Sequence, residues 1–150
     1  MTEHYSDCAL TQALQERAAA REKPILRSPA WQAALPKAKK IELLLLDVDG
    51  VLTDGTVFYT TKSGEVKGFN TQDGFGLRIL QEAGMSAGII TARNAESVRR
   101  RAEDLQLRHL YMGCSDKAMI FNEILNQTGL QAAQVAYMGD DWLDLPVLNQ

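Results

Sequence analysis

Three aspartates, at positions 47, 49 and 54, lie close together in the segment LLLLDVDGVLTDG. Clustered carboxylates suit a metal ion or proton transfer, whereas the four leucines before them indicate a buried strand. A carboxylate held rigidly at the end of such a strand can attack phosphorus and form an aspartyl phosphate, so Asp47 is a candidate nucleophile. Asp49 is a candidate general acid and base, because a carboxyl group crowded by other carboxylates has a raised pKa.

Three further short apolar runs are each followed by polar residues that suit a phosphate or a cation. The runs span 85–90, 109–112 and 135–138. Thr91, Lys117 and Asp140 follow these runs in that order. Lys117 can supply a positive charge and Thr91 a hydroxyl group to a phosphoryl group, and loop N–H groups near Gly50 can add hydrogen bonds. Asp47 and Asp140 together offer the carboxylate oxygens that Mg²⁺ prefers.

Each of these features alone also has a structural explanation. A DxDG segment can form a turn whose aspartates bind backbone N–H groups, and a lone lysine at a helix start is usually solvated. An EF-hand loop that begins at Asp47 is excluded, because Val51, Leu52 and Phe58 stand where an acid, Gly and Glu are required. The features together, each after its own strand, favour a phosphate and cation site.

From residue 41 onward, short apolar runs alternate with helical patterns, which predicts an α/β fold with a doubly wound parallel sheet. The segment 56–74 alternates bulky and polar residues around KSG and predicts a β-hairpin inserted after the first strand. Helix starts are expected at Asp73, at Asn94, at Ser115 or Asp116, and near Asp144. Ligands of such sheets bind beyond the carboxyl ends of the strands, where the candidate residues fall.

The bulk properties of the 150-residue chain are those of a protein with one sizeable core. Residues 1–40 contain an Ala-, Gln-, Glu- and Arg-rich stretch followed by three prolines, so we expect a partly ordered N-terminal arm before a core over 41–150. The net charge of −3 gives no indication of nucleic acid or membrane binding. A polar N-terminus and two cysteines without a CxxC pattern predict a cytoplasmic location.

Four segments resemble, in order, the four motifs of the haloacid dehalogenase (HAD) superfamily. They are DVDGVLTDG, the Thr of IITAR, the Lys of GCSDK, and GDDWLD, and the resemblance covers residues 41–148. The hairpin followed by TQDGFGLRIL, together with VAYMGDDWLDLPVL, is more specifically similar to the phosphatases of 3-deoxy-D-manno-octulosonate (KDO) 8-phosphate. That resemblance implies a Mg²⁺-dependent enzyme without a large cap domain, active in lipopolysaccharide precursor synthesis as a homotetramer assembled through its hairpins.

The resemblance also implies roles for individual acidic residues. Asp47 is the nucleophile, and Asp49 is the general acid and base. Mg²⁺ is bound by the Asp47 side chain, the Asp49 backbone carbonyl and Asp140, while Asp141 and Asp144 support the metal site.

The remaining implied residues bind the substrate, a sugar acid with a phosphate group. Thr91, Lys117 and the loop at Gly50 bind the phosphoryl group. Arg78 and Arg93 are candidates for the substrate carboxylate, although either can instead form a surface salt bridge. Relatives that act on nine-carbon acids tend to have Glu where Arg93 stands, so Arg93 favours the eight-carbon acid.

Three hypotheses follow from the sequence. The first is a KDO-8-phosphate phosphatase, and the second is a phosphatase for another sugar acid, such as a nine-carbon sialic-type acid 9-phosphate. The third is a non-catalytic HAD-like oligomerisation module, which the intact Asp49 and Asp140 argue against. The chain departs from the family pattern at Gln72, where Arg is common, and at Ala92, where Gly is usual. The family continues past residue 150, so the core is expected to be truncated.

Overall fold

The computed structural model describes Gln12, Glu16 and residues 27–61 and 64–150. The chain divides into two compact units, residues 1–36 and 37–150. Within residues 27–61, the helix α1 (Pro29–Ala38) has no buried residue. The helix that the sequence suggests near residues 11–22 lies almost entirely outside the described residues.

The second unit contains the predicted α/β arrangement. Its elements in chain order are β1 (Leu43–Leu46), β2 (Phe58–Thr60), β3 (Gly64–Val66), α2 (Thr71–Glu82), β4 (Ser86–Thr91), α3 (Glu96–Asp104), β5 (His109–Met112), α4 (Lys117–Thr128), β6 (Val135–Met138) and α5 (Leu145–Leu148). Short 3₁₀ helices at Ala132–Gln134 and Trp142–Asp144 flank β6. Four strands form a parallel sheet in the order β5-β4-β1-β6, whereas β2 and β3 pair separately as a hairpin.

The central strand β1 explains the leucine run. It lies between β4 and β6, with Leu43 opposite Ser86 and Val135. Leu43 and Leu45 pack in a core with residues of α4 and α5, whereas Leu46 packs on the other face with residues of α2 and α3. Each buried leucine stabilises the fold by about 1.5–3 kcal/mol. A strand covered on both faces needs apolar residues at every position, not at alternate ones.

The predicted strands are confirmed, with a one-residue shift of β4, but two helix starts differ from prediction. Asn70, not Asp73, caps α2, and its Oδ1 accepts a hydrogen bond of 2.8 Å from the N–H two residues later. Both residue types cap helices well, so the local sequence does not choose between them. Helix α3 starts after Ala95, one residue beyond Asn94, without a side-chain cap. Asp116 caps α4, as predicted.

The hairpin projects apolar side chains into solvent. It occupies the first part of the predicted segment 56–74, because α2 already begins at Thr71. Phe58 pairs with Val66 across the two strands, and Phe58 and Tyr59 are both exposed. In the described part of the chain, no helix is long and apolar enough to span a membrane.

Candidate active site at the carboxyl edge of the sheet

Asp47 is fixed at the carboxyl end of the central strand. Its N–H donates to the Met138 carbonyl of β6 at 2.9 Å, which extends the sheet pairing by one residue. The residue is 5% exposed, and its Oδ1 lies 3.0 Å from Lys117 Nζ. Burial raises the pKa of Asp47, although hydrogen bonds from the Val48 N–H and from Lys117 oppose the shift. Lys117 therefore fixes the Asp47 carboxylate through its Oδ1.

Lys117, the first residue of α4, is buried between two carboxylates. Its Nζ lies 2.6 Å from Asp144 Oδ1, in addition to its contact with Asp47. The Tyr137 hydroxyl donates to the same Asp144 oxygen at 2.5 Å. Burial opposes the ionisation of Asp144, but hydrogen bonds from Lys117, Tyr137 and a backbone N–H outweigh it and hold the pKa of Asp144 below its usual range. The ionised Asp144 thereby orients Lys117 towards Asp47.

Three carboxylates converge beside Lys117. Asp47, Asp140 and Asp144 each place one oxygen within 4.8 Å of the others. Both oxygens of Asp144 are engaged, because Oδ2 accepts the Asp141 N–H at 3.0 Å, so Asp47 and Asp140 are the better ligands. Asp140 lies against Gly50, where an added Cβ would stand 1.8 Å from Asp140 Oδ2. This all-oxygen donor set fits a hard divalent cation such as Mg²⁺.

A cleft of about 400 Å³ opens at this edge of the sheet. Eight of the ten site residues chosen from the sequence line it, namely Asp47, Asp49, Gly50, Thr91, Arg93, Lys117, Asp140 and Asp141. Thr91 is buried, and its Oγ1 accepts the Arg93 N–H at 3.2 Å, which leaves its hydroxyl hydrogen for a ligand. Asp144 lies behind Lys117. The cleft therefore combines carboxylates, a buried ammonium group and a hydroxyl group, which are the groups that phosphate chemistry requires.

Comparisons with known proteins place the chain in a family. No protein-family model matches it. It is 41% identical over 122 residues to 3-deoxy-D-manno-octulosonate 8-phosphate phosphatase KdsC of Yersinia pestis, across 81% of this chain and 65% of that protein. A Legionella pneumophila structure described as a HAD superfamily (subfamily III A) hydrolase is 41% identical, with a TM-score of 0.77 over 80% of this chain and 66% of that one. The chain belongs to the HAD superfamily.

A third relative within this superfamily has bound ligands. The structure of 3-deoxy-D-manno-octulosonate 8-phosphate phosphatase from Moraxella catarrhalis is a complex with a magnesium ion, a phosphate ion and KDO. It is 40% identical, with a TM-score of 0.71 over 73% of this chain and 63% of that one. The chain spans slightly less than two thirds of the length of the curated relatives it matches.

Arg78 is the one predicted site residue that lies apart from this HAD cleft. It is exposed on α2 and lines a different cleft with Met85 and Ser86, at the amino end of β4. A helix that connects parallel strands runs back along the sheet, so the second half of α2 lies at the edge opposite Asp47. Within one chain, the structure therefore places Arg78 away from the candidate site, contrary to the prediction.

Two cations flank Asp49, where the sequence suggested crowding by carboxylates. Lys67 Nζ is hydrogen-bonded to Asp49 Oδ1, and Arg93 Nε lies 3.3 Å from Asp49 Oδ2. Sequence analysis did not select Lys67 or its neighbour Glu65, both of which come from the hairpin. Their spacing of two residues places both side chains on one side of a strand, and this spacing was the only local indication in the sequence that they act together. The burial of Lys67 depends on tertiary packing, including a contact between β3 and α3, which no local pattern reveals.

Proposed function

We propose that the chain is a Mg²⁺-dependent phosphomonoesterase that hydrolyses KDO-8-phosphate to KDO and phosphate. The observation that carries the proposal is the buried Asp47 carboxylate, 3.0 Å from Lys117, in a cleft that also contains Thr91 and Asp140. The name of the Yersinia pestis relative supports this substrate, and the ligands of the Moraxella catarrhalis structure support both the substrate and the metal.

Asp47 acts as the nucleophile in a two-step reaction. In the first step a carboxylate oxygen of Asp47 bonds to phosphorus, the ester P–O bond breaks, and Asp49 donates a proton to the leaving sugar oxygen. In the second step a water oxygen bonds to phosphorus, one water proton passes to Asp49, and the bond between Asp47 and phosphorus breaks. Asp49 gives up one proton and regains one, so the cycle returns the enzyme to its starting state.

Three groups bind the phosphoryl oxygens during both steps. Lys117 provides a fixed positive charge, because Asp144 holds its ammonium group beside Asp47. The Thr91 hydroxyl and the N–H groups of the loop at Gly50 supply hydrogen bonds. These donors are in place before substrate binds, so they stabilise developing charge without rearrangement.

The proposed metal site consists of two carboxylates and one backbone carbonyl. Asp47, Asp140 and the backbone carbonyl of Asp49 would hold Mg²⁺, while Asp141 and Asp144 support the site through their own hydrogen bonds. When bound, Mg²⁺ neutralises the repulsion between these carboxylates and an incoming phosphate.

Arg93 is our candidate for the residue that recognises the substrate carboxylate. Its side chain is 47% exposed at the cleft, and a guanidinium group binds carboxylates through two parallel hydrogen bonds. Arg93 pairs with Asp49 and Glu65 in the structure. The substrate carboxylate would therefore replace one of these partners.

We also propose that the enzyme is a cytoplasmic homotetramer in lipopolysaccharide precursor synthesis. Phe58 and Tyr59 of the hairpin are 58% and 76% exposed, and a partner hairpin would cover this apolar surface. Sedimentation equilibrium should then give four times the chain mass, and a monomer mass would contradict the assembly.

The test of the activity is phosphate release from KDO-8-phosphate, compared with a panel of sugar phosphates that includes a nine-carbon sialic-type acid 9-phosphate. We expect selective release with Mg²⁺, no release with a chelator, and loss of release in Asp47→Asn. Asp54→Asn is the matched control, because Asp54 is exposed in the same loop and caps a turn through the Thr56 N–H at 2.9 Å. Full activity of Asp47→Asn would overturn the proposed mechanism.

A further inference from the structure

Asp49 belongs to a closed set of four charged side chains. Lys67 Nζ binds Asp49 Oδ1 and lies 2.6 Å from Glu65 Oε1. Arg93 completes the set, with Nε 3.3 Å from Asp49 Oδ2 and Nη1 3.4 Å from Glu65 Oε2. Each carboxylate therefore contacts both cations. The hairpin contributes Lys67 and Glu65, and the loops after β1 and β4 contribute the other two residues.

The two cations of this set differ in exposure. The Lys67 side chain is 0% exposed, whereas that of Arg93 is 47% exposed. A buried ammonium group needs its carboxylate partners to offset the cost of desolvation, so of the two contacts of Asp49 the one with Lys67 is the more persistent. The contact with Arg93 is longer and open to solvent, where an ion pair contributes little and exchanges readily.

We propose that Lys67 is the positioning residue of Asp49, holding Oδ1 so that Oδ2 is the oxygen that exchanges protons with the leaving group and with water. The inference rests on the proposed function of the cleft. Glu65 fixes Lys67 from the other side, and its Oε1 contacts Nζ at 2.6 Å. Arg93 leaves Oδ2 when the substrate carboxylate offers it another partner, which frees that oxygen for proton transfer.

The test compares two substrates that differ in their need for a proton. A sugar alkoxide leaves only with a proton from Asp49, whereas the nitrophenolate of p-nitrophenyl phosphate leaves without one. The value of kcat/KM reports the steps up to formation of the aspartyl phosphate, so it isolates the acid role of Asp49. We expect Lys67→Met to lower kcat/KM for KDO-8-phosphate about 10- to 100-fold and to leave that for p-nitrophenyl phosphate near the wild-type value.

Lys39→Met is the matched control, because Lys39 is exposed and is not placed in the site; it should behave as wild type with both substrates. Equal losses with both substrates would mean that Lys67 has only a structural role, and no loss would mean that Asp49 needs no positioning. If Lys67→Met does not fold, the double variant Lys67→Met with Glu65→Gln removes the negative charge that Lys67 balanced on Glu65 and is assayed in its place.

A crystal structure of the folded variant with Mg²⁺ provides a readout that is independent of activity. We expect the Asp49 carboxylate to turn away from its wild-type position, and an unmoved carboxylate would overturn the proposal. If the wild-type chain releases phosphate from neither substrate, the proposed function fails. The position of Asp49 in the variant then still decides whether Lys67 holds it.

Discussion

Replacing Gly50 by alanine is expected to damage the metal site more than the fold. Gly50 has φ +78°, and an added Cβ would lie 1.8 Å from Asp140 Oδ2 and 2.5 Å from Asp140 Cγ. Non-bonded heavy atoms lie roughly 3.5 Å apart, so the two groups must separate by roughly 1.5 Å. The carboxylate of Asp140 is exposed and can swing away, whereas the Gly50 backbone is held in its loop.

The cost of this substitution divides into two parts. Alanine in a left-handed conformation loses about 1–2 kcal/mol of stability whatever its surroundings. The displacement of Asp140 adds little to this loss, but it removes a proposed metal ligand from its place. Changes of this kind lower metal affinity about 10- to 100-fold, which corresponds to about 1.4–2.8 kcal/mol.

Two measurements separate these parts. Urea unfolding gives the stability, and the Mg²⁺ concentration for half-maximal phosphate release gives the metal requirement. Gly129→Ala is the matched control, because Gly129 has φ +73° at the end of α4 and no atom lies within 4 Å of an added Cβ. It should lose similar stability and keep the wild-type Mg²⁺ requirement. An equal Mg²⁺ requirement in the two alanine variants would refute the assignment of Asp140 as a ligand.

Two further predictions concern the same charges. Lys117→Met leaves Asp47 and Asp144 as buried carboxylates without their cation, so urea unfolding should show a loss of about 3–5 kcal/mol together with loss of phosphate release. A fully stable variant would contradict the role of Lys117 as their shared partner. Asp140→Asn removes repulsion from Asp47, so in chelator it should be about 1 kcal/mol more stable than wild type. It should also lose the rise in melting temperature that Mg²⁺ gives the wild-type chain, and an unchanged rise would contradict the prediction.

The sequence predicts those parts of the site that local patterns determine. The bounds of β1, β5 and β6 follow from short apolar runs that end at Asp or Gly, and parallel strands bring their carboxyl ends to one edge. Asp47 and Asp140 follow β1 and β6, which pair side by side, so their approach was predictable. Their roles as nucleophile and metal ligand stay predictions until the variants are assayed.

Other parts of the site depend on tertiary packing and could not be predicted in this way. Arg78 occupies a helix turn that faces the opposite edge of the sheet, although its residue type suits a carboxylate. In the sequence Lys67 resembles an ordinary solvated hairpin residue. In the structure the whole residue, backbone included, is only 6% exposed. Asn70 and Asp73 are both good capping residues, so the local sequence could not decide which of them caps α2.

The pairing of charges distinguishes the aspartates of the site, for which we propose different roles. Lys67 and Arg93 compensate the charges of Asp49 and Glu65, so the proposed acid and base group is anchored by cations other than Lys117. Lys117 is shared between Asp144 and Asp47, and its shorter contact is with Asp144.

Asp47, which shares Lys117 with Asp144, and Asp140, which has no salt-bridge partner in the described part of the chain, have oxygens within 4.8 Å of each other. A divalent cation matches the charge of this pair, and a monovalent cation does not. Lys117 fixes Asp47 through its Oδ1, and Asp47 with Asp140 would hold the cation beside an incoming phosphate. The proposed requirement for Mg²⁺ and the proposed nucleophilic role of Asp47 thus rest on one arrangement of charges.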